Sequence, residues 1–459
     1  MIETHEFTER PSTVSASRER TSILLACAAF AVLCIAALSF APLMMEPDDY
    51  AYQASIVAIT HGHFFTLSAA QATALAAQLP HPSAPGSQGL IQWVRLPDGR
   101  WVSEKDPGYP FLAAPFQLLG IMRVAPLFYG ALGCVGLYFG GRRWLGHLGG
   151  AVAVGLFCSS GAALFFAWRD YMPTFTEASL IAAGTGALLW TVLATDATTR
   201  RRTWAGLAGF VALEAAVFVR YTDIVVLGCA VVAVVVAWRV RSVGLPRVAL
   251  LWWLGTVAVF GAGVAVFDDA VYGGPFTFGY RAGEVRFGLK AVLPNLRYMP
   301  AHLIEAMPVL VPGLVALVWI AWQRVRLRRV GGESAALARR EFAVGYALAA
   351  SWFAVWGTYA TYAWTTHPGM STLQVVRFYV PAIGAMALLA AWPVVRVPRR
   401  ALVGTVASAA LVVAFGLGAW TSTSMRDITP PSPQNVPSPH RTGPAQGGPS
   451  AGAGGHLGG

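Results

Sequence analysis

The chain has 459 residues, of which 56% are hydrophobic and only 12% charged, about half the charged share of an ordinary soluble domain. Apolar runs of about twenty residues, enough to cross a bilayer as a helix, recur along nearly the whole chain. That pattern excludes a soluble domain and, because the runs are unbroken rather than alternating, an outer-membrane barrel. The formal net charge of +11 is carried mostly by loop arginines and reads as a topology signal rather than as a nucleic-acid surface.

In chain order the sequence predicts an all-α polytopic membrane protein of about eleven transmembrane helices, because backbone in lipid must satisfy its own hydrogen bonds. Residues 1–21 form a cytoplasmic tail, and residues 22–420 form the membrane domain. The expected spans are 22–43, 109–141 (one span plus a shorter preceding helix), 146–167, 175–195, 203–219, 221–238, 248–268, 301–322, 342–363, 377–394 and 401–420. The first reads as an uncleaved anchor, since its core is too long for a signal peptide and no small-residue cleavage site follows. Two large extracytoplasmic loops are expected, 44–108 and 269–300, the first bearing amphipathic helices at the membrane surface. After Trp420, fifteen of 39 residues are Pro or Gly, a composition that predicts a disordered tail. All five cysteines (Cys27, Cys34, Cys134, Cys158 and Cys229) fall within spans, so neither a disulfide framework nor zinc-ligand spacing is visible.

Twenty arginines concentrate in alternate loops, from Arg10, Arg18 and Arg20 to Arg396, Arg399 and Arg400. By the positive-inside rule those loops are cytoplasmic, the N-terminus with them, and the C-terminus is extracytoplasmic. The other face holds both lysines, Lys105 and Lys290, and most of the acids. Basic residues on the disfavoured face suggest anion binding.

The first outer loop opens with "PDDYAYQASIVAITHG", which places Asp48, Tyr52, Ser55 and Ile59 at helical spacing. Asp48 and Asp49 read either as a helix cap or as catalytic acids, since carboxylates near a helix start also accept backbone N–H bonds. The same loop closes with "VSEKDPGYPFLAAP", where Lys105 and Asp106 precede a Pro-Gly turn into the membrane. Glu177 and Glu214 lie inside apolar spans, where ionisable groups are functional or paired. Glu214 fits a counter-ion to a neighbouring arginine. His61 with His63, and Asp268 with Asp269, leave a divalent metal open, although no third ligand follows from spacing.

Together these segments resemble the glycosyltransferase type C superfamily, integral-membrane enzymes that take sugars from polyprenyl-phosphate carriers. Protein O-mannosyltransferases and lipid A aminoarabinose transferases are members. The resemblance rests on Asp48, Asp49 and Tyr52 at the start of the first loop, and on Lys105, Pro107, Gly108 and Pro110 at its end. "FVRYTD" (Phe218–Asp223), "YGGPFTFGY" (Tyr272–Tyr280) and "VVRFYVPAIGAMALLAAWP" (Val375–Pro393) are similar too. The second acid is often Glu in the family and is Asp49 here, which leaves open which of the pair is catalytic.

The resemblance implies an inverting transfer outside the cytoplasmic membrane, with a polyprenyl-phosphate-linked sugar as donor and no cofactor. The acceptor hydroxyl belongs to a glycan, glycolipid or protein. Such chemistry needs a carboxylate to take the hydroxyl proton and cations to stabilise the departing phosphate. Asp48 is the expected base, and Asp49 orients the acceptor or a neighbouring cation. Lys105, Arg169, Arg220, Arg281 and Arg377 are the expected phosphate ligands, though Arg220 or Arg377 can instead anchor at the interface by snorkelling. Tyr52, Asp106, Asp170, Glu177 and Tyr280 are expected around acceptor and sugar. The competing readings are a transporter or lipid flippase, for which internal repeats would be expected and none is visible, and a catalytically inactive assembly subunit.

Overall fold

A computed structural model describes residues 13–39, 44, 47–79, 90–239, 244–245, 247–280, 285–327, 332–366 and 375–396. The expected span 401–420, the C-terminal tail and Arg281 lie outside the described residues.

Helix α1 (Thr13–Ser39) is followed in the first large loop by α2 (Pro47–Thr60) and α3 (Ala69–Gln78). The loop also holds a small antiparallel sheet, so the chain is not purely helical. Its strands are β1 (Thr66–Leu67), β2 (Trp93–Arg95) and β3 (Trp101–Ser103), in the order β1-β3-β2. Val102 is opposite both Thr66 and Val94, and is fully buried. The sequence signal for this hairpin is two Trp-Val triplets flanking Pro97-Asp98-Gly99, a turn triplet in which Gly99 takes φ 88°.

Then come α4 (Gly108–Leu118), α5 (Ala125–Cys158), α6 (Gly161–Trp168), α7 (Thr174–Leu193), α8 (Thr199–Val219), α9 (Ile224–Arg239) and α10 (Arg247–Tyr272). A second large loop leads into α11 (Val292–Ala306), α12 (Leu310–Leu327), α13 (Gly332–Ala360) and α14 (Ile383–Arg396). Among the described residues six helices are long and apolar enough to cross a membrane, and a bent pair makes a seventh if counted as one span. The chain is a multi-pass membrane protein.

Two expected spans are broken, for local reasons. The expected 301–322 helix turns by 106° between α11 and α12. Met307 precedes Pro308, whose ring disfavours the α conformation in the residue before it, and Met307 sits at φ −135°, ψ 65°. The expected 146–167 span is interrupted at Ser159–Ser160, where Ser160 is extended at φ −64°, ψ 129° and α6 starts anew. The break before it, at Gly146, is as expected. That residue has φ 79° and ψ 178°, a region glycine enters freely, and it turns α5 back on itself.

The packing core of the bundle is a seam of small residues between α5 and α7. A Cβ at Gly136 would lie 2.5 Å from the Cα of Ala183, and one at Gly186 would lie 2.0 Å from the carbonyl oxygen of Gly136. Only glycine allows backbones this close, a standard means of joining helices in lipid. The seam fixes α7, whose N-terminal turn carries Glu177, and α5 and α7 together support the end of the bundle at which that turn lies.

Candidate functional site

Segments distant in the sequence meet at the first turn of α2. The Asp48 carboxylate bridges two cations. Its Oδ1 is 2.8 Å from Lys105 Nζ, and its Oδ2 is 3.1 Å from an Arg377 guanidinium nitrogen. The Gln92 side chain is a third hydrogen-bond partner. Burial alone would raise the Asp48 carboxyl; Lys105, Gln92 and Arg220 outweigh it and hold the group below the usual carboxylate value. Reciprocally, burial would lower Lys105, but Asp48 and Tyr280 hold its ammonium charged.

Lys105 is placed by a relay of serines. Ser55 Oγ on α2 donates to Ser103 Oγ at 3.1 Å, and Ser103 Oγ accepts the Lys105 N–H at 3.1 Å. From there Lys105 Nζ reaches Asp48 and donates to the Tyr280 hydroxyl at 3.4 Å, 5.2 Å from that ring's centroid. Two glycines make the approach sterically feasible. A Cβ at Gly279 would come within 2.3 Å of the Ser103 carbonyl oxygen. One at Gly108 would come within 2.3 Å of the Phe218 carbonyl carbon, so the turn after Asp106 presses directly on the end of α8.

Arg377, just ahead of α14, is buried, and its guanidinium lies 4.9 Å from the ring centroids of both Trp364 and Phe378. Contacts of this kind hold a guanidinium plane in place while leaving N–H groups to donate. Arg220 caps α8, and its guanidinium lies 5.4 Å from the centroid of the same Phe378 ring. It pairs with Glu177 at 3.0 Å, and Asp223 faces both. Asp106 is half-buried beside them and accepts the Tyr221 N–H. Burial pushes its carboxyl up to about 7, against the pull of Arg220 and Lys105. The Tyr52 hydroxyl is surrounded by Asp106, Tyr280, Arg220 and Asp48.

The expected residues thus divide into two groups. Asp48, Tyr52, Lys105, Asp106, Arg220, Tyr280 and Arg377 form one charged centre. Asp49 and Arg169 do not line it. They pair with each other at 0% and 1% side-chain exposure, with the Arg169 guanidinium 5.4 Å from the Phe165 ring centroid. Arg169 is therefore a buried counter-ion rather than a phosphate ligand in this arrangement, because a phosphate would have to displace Asp49 from a sealed site. Glu177 is likewise sealed, at 0% exposure, and acts on Arg220 rather than on a substrate. Asp170 stands apart on the turn before α7. Its carbonyl accepts the Tyr109 hydroxyl, and burial pushes its carboxyl up to about 6, opposed by Arg123. Glu214 faces the Thr256 hydroxyl instead of an arginine.

Among the described residues no cluster of three or more His, Cys, Asp and Glu side chains is arranged to hold a metal ion. His63 Nδ1 lies 3.5 Å from the Gln71 amide, and Asp268 accepts the Tyr221 hydroxyl at 2.9 Å. Gln92 and Trp364 join the site without any local sequence signal, whereas Phe378 follows Arg377 within the Val375–Pro393 stretch. Gln92 adopts φ 52°, a left-handed conformation unusual for a residue with a side chain, and its carbonyl accepts the Glu104 N–H at 2.9 Å. It thereby pins the Lys105 loop.

No protein-family model matches the sequence, and no curated protein sequence matches it. Solved structures do. ArnT from Cupriavidus metallidurans bound to undecaprenyl phosphate superposes with a TM-score of 0.53 at 17% identity, covering 86% of this chain and 64% of ArnT. The apo state of the same protein gives 0.52 at 16% identity with the same coverage. An Archaeoglobus fulgidus oligosaccharyltransferase in complex with Zn and sulfate gives 0.49 at 12% identity, covering 86% of this chain and 53% of that one. The chain spans less than two thirds of the length of ArnT. The likeness is one of fold: over most of its length the chain shares the membrane-helix architecture of ArnT.

Proposed function

We propose that the protein is a membrane glycosyltransferase that moves a sugar from a polyprenyl-phosphate donor to an acceptor hydroxyl on the extracytoplasmic side, with inversion. One observation carries this reading: a carboxylate shared by two buried cations, Lys105 and Arg377, in a membrane bundle whose fold is similar to that of a protein solved with bound undecaprenyl phosphate. Two buried cations of fixed orientation suit a phosphate whose charge grows as the sugar leaves.

In this reading Lys105 and Arg377 hold the leaving phosphate, Arg377 oriented by Trp364 and Phe378. Arg220 is set behind them by Glu177, and the Tyr52 and Tyr280 hydroxyls border the sugar. Asp48 is the counter-ion of both cations and goes on sharing them when phosphate arrives. The Asp49–Arg169 pair fixes the root of α2 against the turn before α7. The donor enters from the outer leaflet of the cytoplasmic membrane, and the acceptor is a cell-envelope glycan, glycolipid or protein.

The test is direct. Purified protein in lipid nanodiscs, given polyprenyl-phosphate mannose or polyprenyl-phosphate arabinose, should release polyprenyl phosphate, and Lys105→Ala and Arg377→Ala should depress that release. Transport of the intact lipid without cleavage of the sugar–phosphate bond would replace the enzyme by a flippase.

A further inference from the structure

The charged centre holds carboxylates in different states of engagement. Both Asp48 oxygens are occupied, Oδ1 by Lys105 and Oδ2 by Arg377. To take a proton Asp48 would have to break one of these contacts. Asp49 is sealed against Arg169, and Glu177 against Arg220. Asp106 is different. Among the described residues it has no cation within ion-pair distance, it accepts a single backbone N–H from Tyr221, and it is partly open to solvent.

Its surroundings favour holding a proton. Lys105 is committed to Asp48, so Arg220 is the guanidinium left to face Asp106, Glu177 and Asp223, three carboxylates to one cation. Glu177 and Asp223 are 0% and 2% exposed, which leaves Asp106 as the member of the trio that can exchange a proton with a bound molecule. The remaining titratable groups facing it are tyrosines. Tyr52 approaches from α2, Tyr221 from the start of the α9 segment, and Tyr272 and Tyr280 from the second large loop. Each is a neutral hydroxyl at physiological pH, and none competes with a carboxylate as a base.

Resting on the transferase reading, we infer that Asp106, and not Asp48, is the proton acceptor for the attacking hydroxyl. The acceptor O–H bond breaks toward an Asp106 oxygen while the acceptor oxygen forms its bond to the anomeric carbon. The bond from that carbon to the phosphate oxygen breaks, and its electron pair leaves with the phosphate toward Lys105 and Arg377. Asp106 ends as a carboxylic acid and returns its proton to water. The geometry assigns opposite jobs to the two ends of the first loop, cation control at Asp48 and proton transfer at Asp106.

The sign of the pH dependence follows. A base works ionised, so with its carboxyl at about 7, kcat/KM should rise as pH passes upward through about 7 and level off above. Asp106→Asn should bind undecaprenyl phosphate as the parent does, lose about 10²–10⁴-fold in sugar transfer and lose the rising limb. Asp106→Glu should keep a rising limb. An infrared band of a protonated carboxyl that titrates near neutral pH should be present in the parent and absent from Asp106→Asn, a readout independent of any sugar. An Asp106→Asn variant that folds and transfers at the parental rate, or keeps the parental limb, overturns the assignment. A parent that binds no undecaprenyl phosphate and cleaves no donor while still showing the Asp106 infrared titration instead overturns the transferase reading and, with it, this role.

Discussion

Replacing Asp48 with asparagine should tighten binding of undecaprenyl phosphate, contrary to the usual effect of deleting a charged site residue. Asp48 stands 2.8 Å from Lys105 and 3.1 Å from Arg377, so a phosphate oxygen taking both cations would come within roughly 5 Å of its carboxylate. Two unit charges at that distance repel by about 3 kcal/mol at an effective dielectric near 20. Rotation of the Asp48 side chain relieves part of this, and the expected gain on removing the charge is about tenfold to a hundredfold in Kd. The unliganded protein should respond oppositely. Lys105 and Arg377 are 6% and 8% exposed in their side chains, and removing the partner of a buried pair destabilises by about 3–5 kcal/mol. The assay is therefore paired: thermal unfolding of Asp48→Asn in nanodiscs without and with undecaprenyl phosphate, and direct titration of the lipid. A lower melting temperature that recovers beyond the parental shift on adding lipid is the expected pattern. A folded Asp48→Asn protein whose affinity is equal or weaker refutes the reasoning and makes Asp48 a ligand of the phosphate site, for example through a bridging cation.

Three further outcomes are expected. Gly108→Ala sets a methyl against the Phe218–Val219 backbone at 2.3–2.4 Å, so it should destabilise by about 1–3 kcal/mol and weaken undecaprenyl phosphate binding by moving Lys105 off Asp48; parental melting and binding would contradict the close approach. Asp49→Asn or Arg169→Met should each destabilise by about 3–5 kcal/mol, whereas the double variant should recover much of that loss in a thermal-unfolding cycle, since neither charge is then stranded. A reporter active only in the cytoplasm should give signal when fused at Gly332, within the arginine-rich stretch between Arg324 and Arg340, and silence there would invert the topology.

How much of this was legible beforehand follows from the range of the forces involved. Span composition is a local property, and most helices fell where apolar runs predicted them. The first-loop helix at Asp48 and the Lys105 turn were legible because each is written in a few adjacent residues. Their meeting with Arg377 was not, because it depends on how α14 packs in the bundle. For the same reason Arg169 and Arg220 read alike in sequence, each a lone arginine between spans, yet one is closed off by Asp49 and the other reaches the charged centre. Gln92 gave no signal at all, because its left-handed backbone is imposed by the short sheet around it. The bend at Pro308 could have been foreseen, since proline constrains its own predecessor.

The glycine seam between α5 and α7 has a mechanical consequence. Where backbone meets backbone with no side chain between, sliding one helix past the other drives carbonyl oxygens into Cα atoms within a fraction of an ångström. The two helices therefore behave as a keel, and movement that admits a lipid phosphate has to be borne by the rigging above it. That leaves the turn at Lys105, the stretch ending at Tyr280 and the residues around Arg377 as the parts that can shift. In this bundle the stiffest joint is built from the residues with the least side chain.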